Sequence, residues 1–536
     1  MQQIAGNGAL DKNLTAGASS QQRDEDRLAL LKCLISGGDE RLDCDAASGL
    51  NMYGYGPSPR PRDLAFGSST ASTISAAAFT EVESYYVGLM REIATGSPAA
   101  IYGREIGRIR DDLLRLLGLN QRSEPRVDAI LATSGTDIHL FAASLLAREG
   151  DRDLMTITLM GNETGSGVMT ASAGRHFMSR VSSERAVVKG EELRPGDATR
   201  NATIAVRNKD GSLRAESEVE DELRGLIELA RAAGLRCLLV VTDVSKTSLL
   251  APSLETVLRL KARFEAVLDI MIDACQFRLS AATIRAYLAQ GFMVAVTGSK
   301  FLAGPIFSGA LLCPPQMSER FKSRTLPAAL ADYCGKAEWP EGWVAREVLP
   351  ERANFGLLLR WKAALFELER FAGIPEDRII AVLSAFARAV VERLSGDPAF
   401  EQLESRPLDR RALWGASAAV RWDEIASIFS FYLRNSTDGA MLTAAEMATV
   451  YKDLAIENDD VASVRLGQPV RCADFGDIPA SALRICLSAP LIVAACKGEE
   501  ALATLIAQAM LVLDRTAEVA SRQRDVSNAR EIRRSA

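Results

Sequence analysis

The chain has 536 residues, 48% hydrophobic and 25% charged, with a net charge of −6. Mild acidity gives no electrostatic case for nucleic acid or an anionic membrane, no apolar run is long enough to span a bilayer, and the N-terminus lacks the features of a secretory signal. Nine scattered cysteines with no Cys-x-x-Cys pair, and only two histidines, His139 and His176, imply reduced thiols in a cytoplasmic protein and argue against a multi-histidine metal centre, so no metal is expected.

Residues 1–25 are polar and read as a loose lead-in. Residues 51–62 hold too much Gly and Pro for a regular element, yet carry Tyr53, Tyr55, Arg60 and Arg62, an unusual mixture for a linker. Residues 76–118 have helical periodicity with a break near Gly96. Strand and helix then alternate. Strands are expected at 128–133, 154–160, 237–242, 267–272 and 292–297, and helices at 137–148, 218–233, 253–265 and 281–290. Nearly continuous apolar strands separated by helices predict an α/β fold with a mainly parallel central sheet covered on both faces. Beyond Trp343 the pattern becomes α+β, with helices at 354–372 and 375–396, strands at 428–433 and 483–487, and a frayed end from Arg522. The expected organisation is an N-terminal extension on the substrate side (1–70), a large ligand-binding α/β domain (71–345) and a C-terminal small α+β domain (346–536).

Four features carry chemistry. Ser134, Gly135 and Thr136 lie between a strand and a helix, where free N–H groups can meet a phosphate, although Ser and Thr are also ordinary N-caps. Asp273 and Gln276 follow a strand end, the edge at which open parallel sheets bind ligands. An aspartate there can keep a pyridine nitrogen protonated, or can simply start a turn. Ser245 and Lys246 follow another strand end and should line the same crevice. Lys300 stands at the tip of the 292–297 run behind Ser299, with Gly304, Pro305 and Gly309 after it. A lysine so placed can lose enough hydration to act as an amine and form Schiff bases. Lys246 is its rival, ranked lower because it lacks the flanking glycines. Finally, Arg484 is a lone arginine in an apolar strand, suited to a substrate carboxylate or to a structural salt bridge.

In this order the set resembles the fold-type I enzymes that use pyridoxal 5′-phosphate (PLP), in particular the class V aminotransferase group with cysteine desulfurases and kynureninases. The resemblance spans residues 125–365 and returns near Arg484. It implies PLP joined to Lys300 as an aldimine, Asp273 on the pyridinium nitrogen and Gln276 by the phenolic oxygen. It further implies that Ser134, Gly135, Thr136, Ser299 and Ser245 contact the cofactor, and that Arg484 holds the substrate carboxylate. A homodimer with shared sites is implied as well. The segment after Met160 lacks the family's stacking aromatic, leaving Thr164 beneath the ring or His176 reaching over it, unless His176 is merely packed. Arg352-Ala353 replaces the usual Gly-Thr, and Lys246 replaces a common Asn, so with Tyr53 it is a candidate substrate contact. Cys334 follows the lysine too soon to match the desulfurase thiol. The expected activity is transamination of an amino acid or amine-bearing metabolite. A PLP-dependent lyase or β/γ-replacement enzyme is the alternative, and a non-catalytic binding module the remote one.

Overall fold

The computed structural model describes residues 20–535, except 122–124, 148–152, 195, 197–198, 416–418, 436–438, 457–461 and 477. The chain enters through the helix Ser20–Leu34, so residues 20–25 are helical, while the rest of the expected lead-in lies outside the described residues. Strand β1 (Leu64–Ala65) follows. The helices Ala76–Ile93 and Pro98–Leu116 are N-capped by Ser75 and Ser97, with Gly96 in the break between them.

The main sheet contains β2 (Asp128–Ala132), β3 (Leu154–Leu159), β4 (Arg200–Ile204), β5 (Arg236–Asp243), β6 (Leu250–Ala251), β7 (Leu268–Ala274), β8 (Met293–Thr297) and β9 (Gly309–Cys313). Their order is β2-β9-β8-β7-β5-β3-β4, with β6 folded back antiparallel on β5. All other neighbours run parallel except β9, which is antiparallel to β2 and β8. Side chains alternate between two buried faces, as a two-residue period requires. Leu239, Val241, Ile270, Ile272 and Val294 pack into one core, while Leu238, Val240, Met271, Met293 and Ala295 pack into the other. Double coverage explains why these strands read as unbroken apolar runs.

The long helix Phe355–Ala372 leads to the helix Glu376–Gly396 and a second sheet. This contains β10 (Phe400–Gln402), β11 (Ile428–Leu433), β13 (Gly467–Phe475) and β14 (Ile478–Cys486), in the antiparallel order β10-β11-β14-β13. Strand β12 (Val464–Arg465) pairs instead with β1, Leu64 opposite Val464, so the N-terminal segment is stitched to the C-terminal half. The helix Glu499–Ser535 continues through the stretch expected to fray. Among the described residues no helix is long and apolar enough to cross a membrane.

Candidate active site

The ends of β2, β7 and β8, three strands pointing the same way in the sheet, open on one crevice. Beyond β2, Ser134 caps the helix Gly135–Leu146, its Oγ accepting from the Asp137 N–H at 3.3 Å while Asp137 accepts from the Ser134 N–H at 2.8 Å and from the Ser134 hydroxyl. The N–H groups of Gly135 and Thr136 have no acceptor among the described residues. Glycine is needed at 135 because a Cβ there would stand 2.9 Å from Cys275 Sγ and 3.2 Å from Thr297 Cγ2, on the ends of β7 and β8. Burial raises the Asp137 carboxyl to about 7, against the pull of its Ser134 hydrogen bonds.

Asp273 lies near the end of β7. Its Oδ2 sits 3.2 Å from His139 Nε2, and its Oδ1 accepts from the Cys275 N–H at 3.1 Å. Burial alone would raise this carboxyl, but His139, the Cys275 side chain and the Lys300 charge together hold it well below the usual carboxylate range. Lone pairs remain on both oxygens for another donor. His139 was not singled out from sequence, although it stands four residues along the helix from Gly135, one turn below the cap.

Lys300 occupies the tight return from β8 to β9. Gly298 N–H donates to Ser308 O at 2.8 Å and Gly304 N–H to Gly298 O at 3.0 Å, which is why glycine and proline crowd this stretch. The Lys300 carbonyl accepts from the Ser72 hydroxyl at 2.6 Å. Its side chain keeps part of its surface open, and the amine has no hydrogen-bond or ion-pair partner among the described residues. Burial, aided by the charges of Arg484 and Arg278 and opposed by Cys275 and Asp273, pushes the ammonium below the ordinary lysine value. Lys246, by contrast, is tied to Gly161 O at 3.2 Å, its pKa brought down to about 8 by burial and by Arg484 and Lys300. It lines a cleft of about 670 Å³ walled by Met160, Arg207, Val470, Cys472 and Asp474.

Arg484, on β14, is 1% exposed and has no carboxylate partner among the described residues. Its guanidinium donates to Thr70 Oγ1 at 3.0 Å, to Gln468 O and, at 3.5 Å, to Lys246 O, while Nε has no partner. The structural salt bridge is therefore not what holds it. Gln276 Nε2 donates to Ser69 O at 2.9 Å, leaving its acceptor Oε1 free.

Other expected site residues have other surroundings. Ser245 donates to Glu163 Oε2 at 2.6 Å within a buried set that includes Thr247 and Arg207. His176 stacks on Tyr333 and shares a 2.7 Å hydrogen bond with its hydroxyl, the packed arrangement rather than a reach over the crevice. Thr164 and Ser299 are buried in the loops after β3 and β8. Tyr53 packs partly buried beside Tyr55 and Phe307, and Arg60 pairs with Asp63 at 2.9 Å. Cys334 is buried under Trp339, whose Nε1 donates to its sulfur at 3.1 Å, and burial pushes the thiol far above its ordinary range, so it is no ready nucleophile.

Sequence reading put the N-terminal extension on the substrate side but did not name the residues through which this part of the chain meets the site. Arg41 reaches the Ser134–Thr136 turn, Ser69 meets Gln276, Thr70 meets Arg484, and Ser72 meets Lys300. Only tertiary structure brings these together.

No protein-family model and no curated protein sequence matches the chain. Solved structures do. That of TDC from Oryza sativa with PLP aligns at TM-score 0.51 and 14% identity, covering 96% of this chain and 92% of that one. The cystine C–S lyase C-DES, in complex with its reaction product cysteine persulfide, aligns at TM-score 0.50 and 12% identity, covering 85% of this chain and 98% of that one. The mainly parallel sheet and the C-terminal antiparallel sheet, together with these alignments, give the chain the fold of the fold-type I PLP-dependent enzymes.

Proposed function

We propose that the chain is a PLP-dependent enzyme acting on an amino acid or amine-bearing metabolite, with Lys300 as the lysine that bonds the cofactor. The observation that carries this reading is the free, depressed-pKa amine of Lys300 beside Asp273, at the carboxyl ends of adjacent strands β7 and β8. The residues present fit the group. Gly135 and Thr136 offer unused N–H donors to a phosphate, Asp273 keeps an ionised carboxylate for a pyridinium nitrogen, and Arg484 keeps a buried guanidinium with an unused Nε and no carboxylate partner among the described residues. Ser299 and Thr164 are retained as nearby cofactor contacts. Gln276 offers an acceptor to the ring substituents, and Lys246, whose carbonyl accepts from Arg484, is retained as a substrate contact. Ser245, His176 and Tyr53 support the site through packing and hydrogen bonding.

When bound, PLP supplies an electron sink for negative charge at the substrate carbon bearing the amine. Lys300, its amine unpartnered and its proton easily lost, takes and returns the proton at that carbon. Arg484 fixes the carboxylate end of the substrate, so that one chosen bond at the α-carbon is aligned for cleavage. Asp273 keeps its negative charge because His139 and the Cys275 N–H stabilise the ionised form. Of the reactions left open by sequence, bond cleavage without amino transfer is preferred over transamination; the fold shared with a cystine C–S lyase supports that order. The homodimer implied by the resemblance is part of this reading, and sedimentation of the full chain tests it.

Purified protein is expected to be yellow and to bleach with borohydride, with the reduced label on Lys300 alone. Keto acid released with the cofactor unchanged would mark elimination, and accumulated pyridoxamine phosphate would mark amino transfer. Protein that never takes up PLP would leave only the binding-module reading.

A further inference from the structure

Arg41 belongs to the N-terminal segment, yet its guanidinium lies against the turn that opens the helix Gly135–Leu146. Nη1 donates to Thr136 Oγ1 and Nη2 to Ser134 Oγ, each at 3.2 Å. The side chain is 8% exposed and stands over the rings of Phe307, at 4.6 Å, and Phe177, at 5.5 Å. Asp39 grips its other edge, accepting from Nε at 2.8 Å and from Nη2 at 2.5 Å, and also accepts the Arg41 backbone N–H at 3.0 Å. A guanidinium has five N–H bonds. Four are engaged here, leaving one on Nη1 without an acceptor among the described residues, beside the unused N–H groups of Gly135 and Thr136.

A buried arginine is costly to hold unless its donors are met, and a planar fork suits a phosphate better than it suits two hydroxyls. Two aromatic faces and one carboxylate fix the plane, so the remaining edge is aimed in advance. The Ser134 hydroxyl is already committed to Asp137, so it does not add a donor to the Gly135 and Thr136 N–H groups at this corner. Arg352, in the Arg352-Ala353 pair that replaces the usual Gly-Thr, donates from Nη2 to Ser182 Oγ at 3.4 Å.

We propose that Arg41, supplied by the chain's own N-terminal segment and positioned by Asp39, is the cation that binds the cofactor's phosphate ester at the Ser134–Thr136 turn. This rests on the PLP reading and adds to it a same-chain phosphate ligand. Binding to the full-length, cofactor-free chain should be titrated with PLP and with phosphate-free pyridoxal, following absorbance. Arg41→Met is expected to weaken PLP by about 10- to 100-fold, the loss of a charge-assisted contact, and to change pyridoxal by less than about 3-fold. Arg41→Lys, which keeps the charge without the fork, is expected to weaken PLP by about 3- to 10-fold with pyridoxal again unchanged. Equal losses for both ligands would assign Arg41 to the architecture alone, and unchanged PLP affinity in both variants would also overturn the proposal. If Arg41→Met does not fold, the Arg41→Lys pair of titrations decides. Failure of the parent chain to bind either aldehyde would instead sink the PLP reading itself.

Discussion

His139 Nε2 meets Asp273 Oδ2 at 3.2 Å, both side chains buried, which couples the helix behind the Ser134–Thr136 turn to the strand carrying the Asp273 acid. Removing the acid removes an attraction of about 4 kcal/mol for unit charges 4 Å apart at an effective dielectric of 20. Asp273→Ala is therefore expected to lower turnover by about 10²- to 10³-fold, while absorbance shows cofactor still bound.

His139→Ala should act more gently, by about 10-fold, as losses of supporting partners do. Because His139 holds the Asp273 carboxyl down, its removal raises that pKa. The acid limb of the pH–rate profile should then move to higher pH. An unmoved limb would mean that His139 only packs.

Asp137 gives a pH signature in stability. Its carboxyl is raised to about 7 in the folded chain, so the protonated form is the one folding favours. That contribution is complete below about pH 4 and disappears as pH climbs through 7. Denaturant midpoints of the cofactor-free chain should fall over this window by the equivalent of about 2–4 kcal/mol from this group. Asp137→Asn should flatten that part of the slope.

Arg410 and Asp243 are both fully buried and joined through two hydrogen bonds, one of 2.8 Å from Nε, with the Tyr287 hydroxyl donating to the same carboxylate at 2.6 Å. Arg410→Leu strands the carboxylate with one neutral donor. Stability should drop by about 3–5 kcal/mol, seen as a lower urea midpoint at unchanged slope.

Arg484→Lys replaces a two-pronged donor by a point charge. KM for a carboxylate-bearing substrate should rise by about 10- to 100-fold, while binding of the matching amine without the carboxylate stays within about 3-fold. Parallel loss for both would place Arg484 outside substrate recognition.

The parts of the molecule readable from sequence are those set by local periodicity. Val240 and Ile272 announce strands because neighbours on both faces are apolar, and Gly96 ahead of Pro98 announces the helix break. Strand β4 escaped detection because Arg200, Asn201 and Thr203 make it a polar sheet edge. Strand β9 escaped because Gly304, Pro305 and Gly309 read as loop, although they serve the return from Lys300. Lys300, Asp273 and the Ser134 turn stand at strand ends, where the chain itself marks the crevice. Arg41 has no such marker: it meets Ser134 across 93 residues of chain, through packing that no window of neighbours reports.

Arg360 donates from one guanidinium to Phe307 O, and at 3.0 and 2.7 Å to Leu34 O and Ser36 O, fastening the entry of the polypeptide to the return that carries Lys300. Trimming the first forty-odd residues as dispensable tail would thus unlatch the reactive corner as well as shorten the protein. A shortened version would leave buried donors of Arg360 stranded, and any tag or fusion belongs ahead of the helix Ser20–Leu34.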